Sequence, residues 1–244
     1  MKKLSLSVLS SIAACTMFAN SFYYSEENAD NYFTPLSLSI ITPLQLPSAS
    51  WDVYGIALNA LYAQHNAMYG LDAGLVSFNK NNFAGIQAQG AVNWCNIDAY
   101  GIQVAGLANS VMGNGGALQL SSILNYNRGE FYGAQVSTVN YNGTLYGLQL
   151  GGFNYNKGIS KAIQFGVVNA NVNECRGCSF GALNYASRFR GLQFGLFNEI
   201  VENGRGLQLG VFNAASNYTG VQIGLFNIIQ NGSLPIMIVM NAQF

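Results

Sequence analysis

The chain has 244 residues, of which 50% are hydrophobic, 8% are charged and 28 are glycine; 10 basic and 10 acidic side chains leave a formal net charge of zero. That balance offers no electrostatic footprint for nucleic acid and argues against such a partner. Beyond the N-terminus no apolar run approaches the roughly 20 residues a membrane helix requires, so a membrane is reachable only by a lipid anchor, a β-barrel or surface contact.

Residues 1–21 read as an export signal: Lys2 and Lys3, an apolar stretch from Leu4, and Ala19-Asn20-Ser21 as a small-x-small cleavage site before Phe22. Ile12-Ala13-Ala14-Cys15 competes as a lipoprotein box in which Cys15 would be acylated. Ordinary cleavage is preferred, because the stretch after Cys15 is more apolar than a flexible tether. Residues 22–34, with Glu26, Glu27 and Asp30 among Ser, Asn and Tyr, read as an exposed lead-in. A single β-repeat domain is expected over 35–244. It opens with a strand from Leu36 to Leu46 that Pro43 confines to an edge or cap, and the stretches from Trp51 to Gln64 and from Met68 to Asn79 lead into the repeat.

The repeat is plainest from Gly191 to Asn227, where one phrase, Gly-φ-Gln-φ-Gly-φ-φ-Asn with φ apolar, recurs three times. Its asparagine returns at 79, 93, 109, 125, 140, 154, 169, 184, 198, 213, 227 and 241, at steps of 14 to 16 residues. Its glutamine returns at 87, 103, 119, 135, 149, 164, 193, 208 and 222, with Ser179 standing in once. A fixed short period signals an array of one structural unit. Within the unit, Leu192, Phe194, Leu196 and Asn198 share one parity and Gln193, Gly195 and Phe197 the other, the period-two pattern of a strand. Clusters such as Asn142-Gly143, Asn156-Lys157-Gly158, Asn203-Gly204 and Asn231-Gly232 read as turns, and the sequons at Asn142, Asn217 and Asn231 as turn chemistry. No proline interrupts the chain between Pro47 and Pro235, as strands paired on both sides demand. The interval from Gln to Asn is six residues at 87/93, 103/109 and 119/125 and five from Gln135 onward, which predicts a bulge.

These features predict an all-β fold, a parallel β-solenoid of about 11–12 coils, with an antiparallel outer-membrane β-barrel of about 12–14 short strands as the alternative. Three apolar positions flanked by Arg190 and Asn198 are too few to span a bilayer, although the terminal aromatic Phe244 is barrel-like. In the solenoid reading Leu192, Phe194 and Leu196 point into a narrow core. Asn154, Asn169, Asn184, Asn198, Asn213 and Asn227 form an inward amide ladder, and Gln149, Gln164, Gln193, Gln208 and Gln222 a second ladder. Phe153, Phe197, Phe212 and Phe226 are left as an exposed stripe, which marks an interaction surface.

Little in the sequence suggests chemistry. Cys175-Arg-Gly-Cys178 has the spacing of a zinc half-site or redox pair, but only Cys95 and His65 remain as distant ligands, so Cys178 reads as a small core residue, with a local disulfide next. His65, the only histidine, is expected in a turn, and Glu130, Glu174, Glu199 and Glu202 as solvated turn charges beside Arg128, Arg176 and Arg205. No catalytic residue, metal or cofactor is expected.

The phrases GLQLGGFN, GLQFGLFN, GLQLGVFN and GVQIGLFN, with the upstream VYGIALNALY and MYGLDAGLVSFN and the closing NGSLPIM, resemble the bacterial surface-repeat proteins of spirochaetes and other bacteria with outer membranes. The resemblance covers roughly residues 35–244. It implies an exported protein of the cell envelope or surface and brings no activity or catalytic residues. The elongated β face is expected to contact an envelope component, a host molecule or a glycan. Membrane association would come through Cys15 or barrel insertion, and a polysaccharide-acting β-helix enzyme is the third reading.

Overall fold

The structure, a computed structural model, describes residues 32–244, and Phe33–Phe244 forms a compact unit by itself. The export signal, Cys15 and residues 22–31 of the lead-in lie outside the described residues. Thirteen strands follow in order: β1 Phe33–Ile41, β2 Leu44–Leu46, β3 Asp52–His65, β4 Met68–Asn79, β5 Phe83–Cys95, β6 Ala99–Ala105, β7 Ala108–Val111, β8 Gly115–Ser121, β9 Leu124–Asn156, β10 Ile159–Phe165, β11 Val168–Phe180, β12 Leu183–Ile229 and β13 Ile236–Gln243. Phe33 and Thr34, expected in the lead-in, already belong to β1, and the stretch from Leu36 to Leu46 is two strands that fold back antiparallel on each other.

From β1 and β3 to β12 each pairing of successive coils is parallel, so that the chain winds as a β-solenoid of about 11 turns. Equivalent positions stack directly, as in Tyr69↔Ala84, Gln87↔Gln103 and Asn169↔Asn184. Parallel ladders replace the antiparallel pairs of the barrel alternative. Only β2 at one end and β13 at the other run antiparallel to their neighbours. At about 4.8 Å between strands the rod is about 50 Å long.

The interior differs from the expected one. Gln193 and Asn198 are buried, whereas Phe194 is 55% and Leu196 53% exposed, so these two apolar side chains face out, and half-buried Leu192 does not enter the core. The alternation is broken once per coil, where Leu196 and Phe197 both face out. The chain turns a corner there, which lets glutamine and asparagine five residues apart both point in. In the coils with a six-residue interval the extra residue is absorbed before the asparagine, and Gln89 and Ala105 face in as well. The register shifts between Gly74 and Val76, where the interval first lengthens.

The larger buried apolar side chains lie on the remaining side of the coil, while the small Ala57, Ala63 and Ala105 are buried on the amide side. Met68, Phe83, Ala99, Phe131, Leu145, Cys175 and Phe189 are buried in one column, with Val111, Ala186, Ile200 and Ile229 beside them. Pairs of large residues, Met68 with Phe83 and Phe131 with Leu145, are separated along it by pairs of small ones, Ala99 with Gly115 and Ser160 with Cys175, so that the column fills at interior density. Asn142-Gly143 and Asn203-Gly204, expected as turns, run in extended backbone, with Asn142 buried and Gly204 packed under the Tyr218 ring.

The first glycine of the phrase is a backbone requirement. Gly191 has φ of 138°, and a Cβ there would sit 1.9 Å from the Gly177 carbonyl oxygen of the coil below. The Gly191→Ala substitution is expected to destabilise the fold by about 2–3 kcal/mol, read as a lowered midpoint in thermal circular dichroism, while Leu192→Ala, one position on and facing out, shifts the midpoint far less.

Candidate functional site

Two long columns of amides run through the core, and a shorter third, Asn127, Asn142, Asn156 and Asn171, is buried beside them and donates to the glutamines of its own coils. From Asn93 to Asn213 each asparagine donates from Nδ2 to the Oδ1 of the asparagine in the next coil, at 2.7 Å for Asn93–Asn109, 2.9 Å for Asn140–Asn154 and 2.8 Å for Asn154–Asn169, Asn184–Asn198, Asn198–Asn213 and Asn213–Asn227. The second Nδ2 hydrogen reaches a backbone carbonyl ten or eleven residues on, such as Phe194 for Asn184 at 3.0 Å and Leu209 for Asn198 at 2.9 Å. The asparagine side chain therefore ties its own coil to the next one through two acceptors. The phrase's second glycine follows from this, because a Cβ on Gly195 would lie 2.6 Å from Asn184 Nδ2. Ser121 and Ser137, which stand in for that glycine, lie 3.1 Å apart at their hydroxyls, and Ser121 donates to Asn125 Oδ1 at 3.0 Å, so that Ser137 supplies the hydrogen between the two serines and both substitutions carry bonds.

Asn79, counted with the asparagines from its spacing, sits elsewhere. Ser77 pairs with Asn93, and Asn79 pairs with His65 on one side and Cys95 on the other. Neither amide atom of Asn79 has a hydrogen-bond partner among the described residues.

The glutamine column donates the opposite way. Gln103 donates to Gln87 at 3.0 Å, Gln149 to Gln135 at 3.1 Å, Gln164 to Gln149 at 2.9 Å, Gln208 to Gln193 at 2.8 Å and Gln222 to Gln208 at 2.6 Å. At Ser179 the hydroxyl takes over, donating to Gln164 Oε1 at 3.2 Å. The column ends on Asp72, buried, which accepts from Gln87 at 2.9 Å, Gln89 at 2.9 Å, Asn59 at 3.3 Å and the Ser77 hydroxyl. A run of donors pointing toward the N-terminus closes on a group that only accepts. Nothing in the repeat spacing singled out Asp72; its sequence signal is a carboxyl at the place of the column's glutamine.

With the amides inside, much of the apolar side-chain surface is outside. Phe197, Phe212 and Phe226 stack at 5.0 Å between centroids and are exposed, while Phe153, exposed in the same column, stands near Tyr155 at 6.4 Å. Beside them run Leu107, Ile123, Val167, Leu196 and Leu225, also exposed, and round the corner Val104, Val136, Phe165, Phe194 and Ile223. None of the Gln-to-Asn segments that carry this edge holds a charged residue, and in the coil before them the glutamine's place is taken by the buried Asp72.

Aromatic columns border the edge on both sides. Before the first glycine stand Tyr54 and Tyr69, stacked at 4.8 Å, and Tyr132 and Tyr146, stacked at 4.6 Å; the column continues as Lys161, Arg176, Arg190 and Arg205. Lys161 Nζ lies 5.2 Å from the Tyr146 ring centroid. After the asparagines, Tyr126, Tyr141 and Tyr155 stack at 4.9 and 5.2 Å, and Phe78 and Trp94 at 6.4 Å.

The groups with chemical potential are placed otherwise than expected. His65 is buried at the end of β3, not in a turn. Burial pushes its imidazole below the ordinary value, against the pull of Asp72. Cys175 is the buried thiol and Cys178 the half-buried one, the reverse of the expected core role, and Cys95, Cys175 and Cys178 are free thiols. Burial pushes the Cys95 and Cys175 thiols up to about 12. Glu174, expected in solvent, is buried within β11 under a two-pronged bond from Arg176 at 2.8 and 3.1 Å, which holds its carboxyl below the ordinary range. No family model, curated protein or solved structure matches the chain.

Asn184→Ala removes the bonds to Asn198 and Phe194 and leaves the Asn169 amide without its acceptor, so a loss of about 3 kcal/mol is expected, measured by denaturant unfolding; Phe197→Ala, outside the ladder, stays within about 1 kcal/mol. The lowered His65 sets a pH dependence. Below about pH 6.5 the unfolded chain takes up a proton that the folded chain does not, so stability falls as pH drops from about 7 to about 5. His65→Asn is expected to flatten the midpoint over that range, and an unchanged slope would assign the dependence to other groups.

Proposed function

We propose that this chain is an exported, non-enzymatic binding scaffold of the bacterial cell envelope, in which the solenoid holds a long lateral surface toward a partner. The observation that carries the reading is the apolar edge, repeated coil after coil with no exposed charge of its own. An exposed apolar surface of this length is costly to keep in water and is retained where something covers it. The interior supports the same reading, since its polar groups are spent on one another in repeated rungs, an arrangement that builds a stiff support. The envelope assignment rests on the signal-like residues 1–21 and on the resemblance to surface-repeat proteins.

The test is made in a bacterium with two membranes producing the full chain. The mature protein is expected to begin at Phe22 by N-terminal sequencing, to fractionate with the envelope, and to be cleaved by protease added to intact cells. A mature chain beginning at acylated Cys15, abolished by Cys15→Ser, would keep the envelope scaffold and change its anchor. A chain that retains Met1 and stays in the cytoplasm would overturn the proposal.

A further inference from the structure

We infer that the partner of the lateral edge is a lipid surface, with the apolar corner of the coils set into the acyl boundary and the flanking columns at the headgroups. The inference rests on the scaffold reading above and names what the surface meets.

Three observations point to lipid. The first is extent. The edge runs about 50 Å along the rod and about 15 Å around the corner, on the order of 700 Å² in outline, more than the few hundred Å² that a monomer in water ordinarily leaves open. Its shape is the second. Leu196 and Phe197 face out in succession, 53% and 48% exposed, so the edge is convex, and a ridge fits a deformable apolar medium better than it fits a flat protein face.

The third observation is what stands on either side. Tyrosine, tryptophan and cationic side chains gather where an apolar body meets headgroups, because each joins an apolar stem to a polar tip. Tyr132 and Tyr146 border the ridge on one side, and Tyr141 and Tyr155 on the other. Toward the C-terminal end the first border turns cationic, with Lys161, Arg176, Arg190 and Arg205 in successive coils. Four like charges stacked at the strand spacing repel one another. Glu174 answers Arg176 at 2.8 Å and Arg190 at 3.7 Å, while Lys161 and Arg205 have no carboxylate within ion-pair distance among the described residues. A cationic border beside an apolar ridge suits lipids with anionic headgroups, each basic residue near such a surface adding to the attraction.

The chain from Phe22 to Phe244, which contains the whole compact unit, is mixed with vesicles of phosphatidylcholine, and with vesicles in which part of it is replaced by phosphatidylglycerol, and sedimented. Both are expected to carry the protein down, the anionic vesicles more strongly and with a gain that salt removes. The triple substitution Phe194→Ser, Leu196→Ser, Phe197→Ser is expected to lower vesicle affinity about tenfold, with its circular dichroism spectrum unchanged because all three side chains lie outside the core. Arg190→Gln with Arg205→Gln is expected to remove the preference for phosphatidylglycerol and leave binding to phosphatidylcholine. If the folded triple variant binds vesicles as well as the parent, or if the parent stays in the supernatant with both vesicles, the inference is overturned. If the parent is instead a dimer by light scattering, does not bind vesicles, and becomes a monomer on the triple substitution, the ridge belongs to a second copy. None of these outcomes depends on where the cell sends the chain, so export and scaffold can stand if lipid binding fails.

Discussion

Everything in this fold depends on the need to satisfy side-chain amides that have been taken out of water. An unpaired buried amide costs about as much as several net hydrogen bonds contribute, so a glutamine or asparagine can stand in the core only where each neighbour supplies its acceptor. Stacking identical amides at the strand spacing meets that condition repeatedly. In the asparagine column from Asn93 to Asn213 the amide nitrogen gives one hydrogen to the next rung and the other to a backbone carbonyl. The repeat length follows from the ladder. A coil that lost register by one residue would present a different side chain to the column and strand the rungs on both sides, so 14 to 16 residues per turn is kept although the outward sequence varies.

The polar interior decides the rest of the cross-section. Each of these coils gives at least two inward positions to amides, with a third at Asn127, Asn142, Asn156 and Asn171, and closes the second glycine beneath the asparagine, as at Gly195, so that little inward room is left for the apolar residues of the phrase. Leu192, Phe194, Leu196 and Phe197 go to the outer surface as a consequence. The tyrosine and cation columns border them by the same logic, since whatever stands two residues before a given outward position in one coil stands there in the next. A lateral surface graded from aromatic at Tyr132 to cationic at Arg205 is thus a direct readout of one column of sequence.

The period, the solenoid class and the spacing of the amides were legible in the sequence, because these depend only on recurrence. Facing was not, and the reason is physical. The inference from parity assumed one unbroken strand from Gly191 to Asn198, while the corner at Leu196 and Phe197 puts residues of opposite parity, Gln193 and Asn198, on the same side. Treating apolar side chains as core was the second error; it weighed leucine against glutamine one residue at a time, whereas a glutamine in a ladder brings its own partner. Asn79 misled for a related reason. Its spacing matched the series, but the register shift between Gly74 and Val76 moves it one column over, beside His65 and Cys95, where neither of its amide atoms is paired. The phenylalanines of the edge were recognisable as exposed, while the columns beside them were not, because their recurrence is of character and not of residue type.

The two ladders run in opposite directions, and that opposition explains features at both ends. Asparagine amides donate toward the C-terminus and glutamine amides toward the N-terminus, so the dipoles of the two columns oppose each other along the rod and do not add into one field. Each ladder must also have one end at which an oxygen finds no donor. For the asparagines that is Asn93 Oδ1 at the N-terminal end, and for the glutamines Gln222 Oε1 at the C-terminal end, both of them buried and unpaired. An unpaired carbonyl oxygen is the milder of the two possible defects, because an oxygen keeps weaker contacts where a stranded N–H keeps none. At the other end of the glutamine column a donor would have been left over, and there Asp72 stands, taking bonds from Gln87, Gln89, Asn59 and Ser77 at once. A buried carboxyl is tolerated at that point because four neighbours surround it with donors. The carboxyl thus sets the direction of the column, since a glutamine in its place could turn its amide either way, and a group with acceptors alone cannot.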